Sequence, residues 1–139
     1  MNALSPLSSP REQSIGEIAL ESLAVDHYER MYALCHAFYD DPAVCMSLTN
    51  QWFTDSADSP SQVTVCRKAV DSLRHRAGLE LLVPSCGLLA NLTWLLKEVA
   101  GLRYAEIGEV LGMDFDEVKH TIAAVREALL ATTSESLAA

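Results

Sequence analysis

Apolar residues along this chain recur at intervals of three and four, and no stretch alternates apolar with polar as a half-buried strand requires. A pattern opens at Ile15, Ile18 and Ala19 and becomes strong from Val25. Tyr28, Met31, Tyr32, Cys35 and Phe38 then define one face of an amphipathic helix of about four turns. Asp40-Asp41-Pro42 ends it, and a second helix is predicted from Ala43 to Phe53 with Val44, Leu48 and Trp52 on one side. The polar stretch 54–61 reads as a loop. Val63, Cys66, Ala69, Val70 and Leu73 mark the next helix, which closes on Arg74-His75-Arg76. From Leu88 the residues Leu92, Leu95, Leu96 and Val99 carry a further helix, with Leu102 closing the run.

The last part of the chain has the sharpest punctuation. Tyr104 to Leu111 is a short helix with Ile107, Val110 and Leu111 inward. Gly112 stands where the chain must turn left-handed. Asp114 caps a following helix, with Glu117 in capping-box register. Val118, Ile122, Val125 and Leu129 form a single stripe down that helix. Short helix, glycine turn and longer helix fit a helix-turn-helix unit, whose second helix can lie in a DNA major groove, and they fit an ordinary helical hairpin equally. The predicted fold is all-α, in two small helical bundles, the C-terminal one a helix-turn-helix. The expected divisions are a loose tail at 1–13, a bundle at 14–78, a linker at 79–87, a second bundle at 88–131 and a tail at 132–139.

Composition supports helices and narrows the function. Half of the 139 residues are apolar, 6% are aromatic, and Gly and Pro are sparse. No apolar run reaches membrane-spanning length and the N-terminus lacks a signal-peptide pattern, so a cytoplasmic location without membrane contact is expected. Cys35, Cys45, Cys66 and Cys86 are unevenly spaced with no Cys-x-x-Cys, which predicts buried free thiols rather than a metal site. Asn91-Leu92-Thr93 fits a glycosylation sequon but sits within an apolar helix. No Glu-x-x-His, phosphate loop or Ser/His/Asp arrangement stands out, and Asp26-His27 and Cys35-His36 diverge on a helix. Neither catalysis nor a cofactor is expected.

The net charge of −9 sits poorly with phosphate binding, which draws affinity from basic side chains. Residues 88–139 hold four bases against eight acids. Asp114, Asp116 and Glu117 crowd the start of the last helix, leaving Lys119, His120 and Arg126 as its candidates for DNA contact. The best basic cluster lies earlier, at Arg67, Lys68, Arg74, His75 and Arg76, opposed only by Asp71. It reads equally as a nucleic-acid surface or a solvated helix face.

Particular residue runs resemble the extracytoplasmic-function sigma factors of RNA polymerase. Gly101-Leu102, Tyr104 to Ile107, Leu111-Gly112, Val118-Lys119 and Val125 to Leu129 stand where region 4 of that family has Gly-Leu, Tyr-x-Glu-Ile, a Leu-Gly turn, Val-Lys and Ala-Arg-Glu-x-Leu. Tyr28 to Asp41, with Asp41-Pro42, is similar to the opening helix of its region 2. Leu48 and Phe53 fall at that region's Leu and Phe, and Val70 to Arg74 resembles its Ile-Asp-x-Leu-Arg. The resemblance covers roughly residues 25–130 in the right order. It implies binding to core RNA polymerase and to promoter DNA. Lys119, His120 and Arg126 would meet the minus-thirty-five element; Arg67, Lys68, Arg74 and Arg76 would meet the minus-ten region. Leu48, Gln51 and Trp52 would face a protein partner. The chain departs from the family where polymerase is met, because Ala43 to Phe53 contains no acid. The alternative is a sigma-like interaction module that binds polymerase, a sigma or an anti-sigma factor without reading DNA. In that case an apolar patch with Met46 and Trp52 is either the docking surface or simply core.

Overall fold

The computed structural model describes residues 25–58, 61–76 and 78–138, with side chains through Thr132. The expected tail at 1–13 and the helical pattern at Ile15 to Ala19 lie outside the described residues.

Helix α1 spans 25–36 and buries Met31, Leu34 and Cys35, with Phe38 following in the turn. Helix α1 has ended at residue 36, and Asp41, held extended before Pro42, starts the next helix. Its carboxylate accepts the Ala43 N–H at 2.9 Å, and Pro42 occupies the first helical position, where its missing N–H costs nothing. Helix α2, Pro42–Asp55, buries Cys45, Leu48, Thr49 and Trp52. The Ser61 hydroxyl caps α3, Gln62–Arg74, by accepting the Thr64 N–H at 3.1 Å. Its inner face is Val65, Cys66, Ala69, Val70 and Leu73, the three-and-four spacing visible in the chain.

Residues 79–83 run without helix, and the Glu80 N–H returns to the Phe38 carbonyl at 3.1 Å. A short 3-10 turn, Pro84–Cys86, leads into α4, Gly87–Glu98. Buried Asn91 fixes that corner. Its side chain accepts the Val83 N–H at 2.8 Å and donates to the carbonyls of Val83 at 2.8 Å and Gly87 at 2.6 Å. Asn91 and Thr93 are both buried, so the sequon-like run is interior.

Helix α4 ends at Glu98, earlier than the apolar spacing suggests. The Ala100 N–H bonds to Leu95 O at 3.1 Å and the Leu102 N–H to Leu96 O at 3.0 Å, closing the helix in a tight C-terminal turn. Leu102 is buried from that turn rather than from a helix. Helix α5, Tyr104–Leu111, and helix α6, Phe115–Ala138, complete the chain. The helix continues through 132–138, where a tail was expected, because no Gly or Pro follows Gly112 to stop it.

The described residues form helices, turns and no strand. Their architecture is all-α. Helix α4 packs on α5 and α6, and α3 lies between α2 on one side and α4 and α5 on the other. Buried side chains from α1, α2 and α3 and from α4, α5 and α6 belong to one continuous cluster, running from Met31 and Phe38 through Cys66 and Leu73 to Ile107 and Ile122. The first and second halves of the chain therefore share a core across α3. No described helix is long and apolar enough to cross a membrane.

Candidate nucleic-acid interface

The segment formed by α5, the turn at Gly112 and α6 is built by hydrogen bonds that its sequence anticipates. At the start of α5 the Glu106 carboxylate accepts the Arg103 backbone N–H at 2.9 Å and the Arg103 guanidinium at 3.3 Å. The backbone N–H, followed by the side chain and its charge, holds the Glu106 carboxyl below its usual range. At its end Gly112 takes φ 71° and ψ 36°, the left-handed conformation. The N–H groups of Gly112 and Met113 both reach the Gly108 carbonyl, at 2.8 and 3.0 Å. Asp114 Oδ1 accepts the Glu117 N–H at 2.8 Å and Glu117 Oε1 accepts the Asp114 N–H at 3.3 Å, a complete capping box. The turn also needs Gly108: a Cβ there would lie 2.5 Å from the Met113 carbonyl oxygen.

With Val118, Ile122 and Val125 buried, α6 presents Lys119, His120 and Arg126 to solvent. Lys119 and Arg126, seven apart, share a face. The His120 Nδ1 is folded back onto the Asp116 carbonyl at 2.7 Å. Asp114, Asp116 and Glu117 are exposed at the start of the same helix, so its leading end is negative.

The basic residues of α3 are exposed but do not form one patch. Arg67 leans onto α5, 3.7 Å from the Glu109 carboxylate and 3.5 Å from its carbonyl. Asp71 separates Arg67 from Arg74 along the outer face. The His75 Nδ1 lies 2.7 Å from the Asp71 carbonyl. Arg76 lies beyond the helix, where its Nε donates to the Tyr39 hydroxyl at 3.1 Å and its guanidinium sits 5.7 Å from that ring. Lys68 and Arg74 make no ion pair with a described residue.

The expected partner face on α2 is divided by burial. Trp52 is 1% exposed and Leu48 9%, both within the core, so neither is a docking residue in this fold. Of the expected three, only Gln51 is exposed, where it donates to Asp55 at 2.7 Å. Met46, 55% exposed, is the apolar side chain on the outer face. Helical geometry explains the split: Leu48 and Trp52 are one turn apart on the inner side, whereas Met46 lies two residues from Leu48 and points away.

A group of residues that the sequence did not mark as a site lies beside the turn. Lys97, Leu102, Arg103, Tyr104 and Phe115 line an open groove where α4 ends and α5 and α6 begin. The Tyr104 and Phe115 rings are 5.6 Å apart, Lys97 Nζ is 5.9 Å from the Tyr104 centroid, and Phe115 is 55% exposed. The clue in the sequence is Arg103-Tyr104 beside a Phe that falls off the apolar stripe of α6. Both cations are paired, Lys97 with Glu98 at 3.3 Å and Arg103 with Glu106 at 3.3 Å, so the groove combines two ion pairs with two flat rings.

Cys35, Cys45 and Cys66 are buried and Cys86 is half-buried. Among the described residues no group of three or more His, Cys, Asp or Glu side chains gathers to hold a metal ion. No protein-family model, characterised protein or solved structure matches this chain.

Proposed function

We propose that this chain is a sigma-factor-like transcription protein that binds core RNA polymerase and promoter DNA through a helix-turn-helix. The observation that supports this best is the α5–turn–α6 geometry. Gly108, Gly112 and the Asp114–Glu117 box shape the turn that leads into α6, and burial of Val118, Ile122 and Val125 leaves Lys119 and Arg126 on one outward face. In a helix-turn-helix the second helix enters the major groove and the first crosses the backbone. Lys119, His120 and Arg126 would then approach base edges or phosphates. Arg103, at the start of α5, and Lys97, in the last turn of α4, would lie along the flanking backbone. Lys68 and Arg74 supply a second, separate positive surface on α3.

The test is fluorescence anisotropy with promoter-length DNA over a salt series. Lys119→Ala and Arg126→Ala should each weaken binding and reduce the slope of affinity against salt by about one ion. Absence of salt-dependent binding by the wild-type chain at low ionic strength defeats the DNA reading.

Two observations favour the alternative of an interaction module without DNA readout. Arg67, one of the three bases on α3, is engaged by Glu109, and three carboxylates lead α6. Under that reading the chain co-purifies with core polymerase, a sigma or an anti-sigma factor, and transcription with the eluted polymerase complex gives no promoter-dependent product. Promoter-dependent transcripts eliminate it.

A further inference from the structure

We propose that the groove at the junction of α4, α5 and α6 is the contact face of a homodimer, in which a second copy of this chain docks by a two-fold rotation. Lys97, Leu102, Arg103, Tyr104 and Phe115 line it. Phe115 is the first residue of α6 and falls off the buried stripe of Val118, Ile122 and Val125, so the core does not hold it. Its ring is 55% exposed and lies 5.6 Å from that of Tyr104, which is half-buried. Scattered apolar side chains are ordinary on a surface, whereas two adjoining rings at the mouth of a groove suit an interface anchor.

The charges identify the occupant. Arg103 meets Glu106 through its Nε alone, at 3.3 Å, and its side chain is 84% exposed. The two terminal nitrogens of that guanidinium make no hydrogen bond or ion pair with a described residue. Asp116, next to Phe115 on α6, is exposed, and its carboxylate makes none either. Asp114 and Glu117, by contrast, are committed to the cap of α6. One surface thus carries an open guanidinium fork, an open carboxylate and two rings. It is complementary to itself. Under a two-fold rotation Arg103 of each copy meets Asp116 of the other, and the Phe115 rings pack against Tyr104 across the axis. Each contact occurs twice, as in any two-fold interface. Arg with a carboxylate is also the pairing best suited to a bidentate bond.

Other occupants leave part of this surface unmatched. A phosphate backbone or an acidic peptide would use Arg103 and Lys97 but would also meet Glu98, Glu106, Asp114, Asp116 and Glu117 around them. A neutral apolar ligand would cover the rings and leave Arg103 and Asp116 unanswered. A second copy supplies a ring, an acid and a base together.

The net charge of −9 on each copy limits the affinity, because two such chains repel at long range. At about 0.15 M salt the Debye length is about 8 Å, so that repulsion is screened while a contact pair is not. The dimer is therefore weak and concentration-dependent, with an interface at the small end of the specific range. It does not depend on the DNA reading. Where that reading holds, the second copy covers the leading end of α6, and dimer and DNA exclude each other.

The test is sedimentation equilibrium of the full chain at about 0.15 M salt. The mass should rise from 15.2 kDa toward twice that value, with a midpoint on the order of 100 µM. Phe115→Ser should abolish the rise. Arg103→Glu and Asp116→Arg should each weaken association by at least about tenfold, because each homodimer then holds two like-charge contacts. Mixed in equal amounts, these two variants should associate again, since both cross-pairs of the mixed dimer join opposite charges. Circular dichroism checks that each variant is folded, and if one is not, the exposed Phe115→Ser change decides alone. A mass that stays at 15.2 kDa up to about 1 mM overturns the proposal. So does association of Phe115→Ser equal to wild type, a mixture of folded charge variants that stays monomeric, or growth past the dimer. A monomeric chain whose Tyr104 and Phe115 ring signals shift in NMR spectra on addition of an acidic peptide overturns it as well.

Discussion

Replacing Gly108 by Ala tests how closely the turn before α6 is packed. Gly108 lies inside α5, where Gly→Ala ordinarily stabilises by about 1 kcal/mol. Here the added Cβ would lie 2.5 Å from the Met113 carbonyl oxygen. Comfortable C···O contacts are about 3.3 Å, so the carbonyl must retreat by roughly 0.8 Å. It belongs to the residue whose N–H bonds Gly108 O at 3.0 Å and which directly precedes the Asp114 cap. Moving it weakens a hydrogen bond worth about 1 kcal/mol and a cap worth about 1 kcal/mol, with overpacking of about 1 kcal/mol added. Set against the propensity gain, Gly108→Ala should destabilise by about 2 kcal/mol and lower Tm by roughly 5–10 °C. Urea and thermal unfolding followed by circular dichroism measure both quantities. Gly112→Ala is the comparison: its Cβ meets nothing within 4 Å, so only the left-handed backbone penalty of about 1–2 kcal/mol applies. A Gly108→Ala protein that melts at or above wild type would refute the close approach of α5 to the turn that leads into α6.

Asn91→Ala should cost about 3 kcal/mol in urea unfolding, because it leaves the buried Val83 N–H and C=O without their partner. Trp52→Ala should cost about 4 kcal/mol by opening a cavity, whereas Trp52→Phe should cost much less, since the Trp52 Nε1 finds no hydrogen-bond partner among the described residues. Burial, followed by the Arg30 charge, holds the His27 pKa below 6.5. The unfolded chain therefore binds a proton at a pH where the folded chain does not, and stability should fall as pH drops through about 6.5, flattening below the folded value. Urea midpoints from neutral to mildly acidic pH should show that slope, and His27→Gln should flatten it. Lys68→Ala and Arg74→Ala should leave unfolding midpoints within about 0.5 kcal/mol of wild type while lowering any non-specific DNA affinity at low salt.

The elements most legible in the sequence are those fixed by local chemistry. Asp41-Pro42, Gly112 and Asp114 with Glu117 each satisfy backbone groups within a few residues, so residue type alone places them. The apolar stripes of α3 and α6 were legible for the same kind of reason, since spacing dictates which side faces inward. Three features were not. Helix α4 stops at Glu98 because Ala100 and Leu102 bond back to Leu95 and Leu96, although the apolar spacing itself continues to Leu102. The burial of Leu48 and Trp52 depends on α2 meeting the rest of the core, and an apolar residue reads the same whether it meets its own chain or a partner. The seating of α3 against α5 is a long-range choice with no local signature, and it removes Arg67 from the basic run by giving it Glu109.

That seating bears directly on what the basic residues of α3 can do. Val65, Cys66, Ala69, Val70 and Leu73 are buried, and Ile107 and Leu111 of α5 belong to the same cluster. Separating α3 from α5 would expose apolar surface at about 25 cal/mol per Å², so several residues of this size make the packed arrangement strongly preferred. Any DNA that engages α3 must therefore do so by its outer face, where Lys68 and Arg74 stand with Asp71 between them. On the proposed DNA-binding reading, a duplex would have to meet Lys68 and Arg74 on α3, and Lys119 and Arg126 on α6, as the packed fold holds them. A cross-link between α3 and α5 that leaves DNA affinity unchanged would support readout from the packed form. A cross-link that abolishes binding would show that the two helices separate first, and the cost of that separation would then limit affinity.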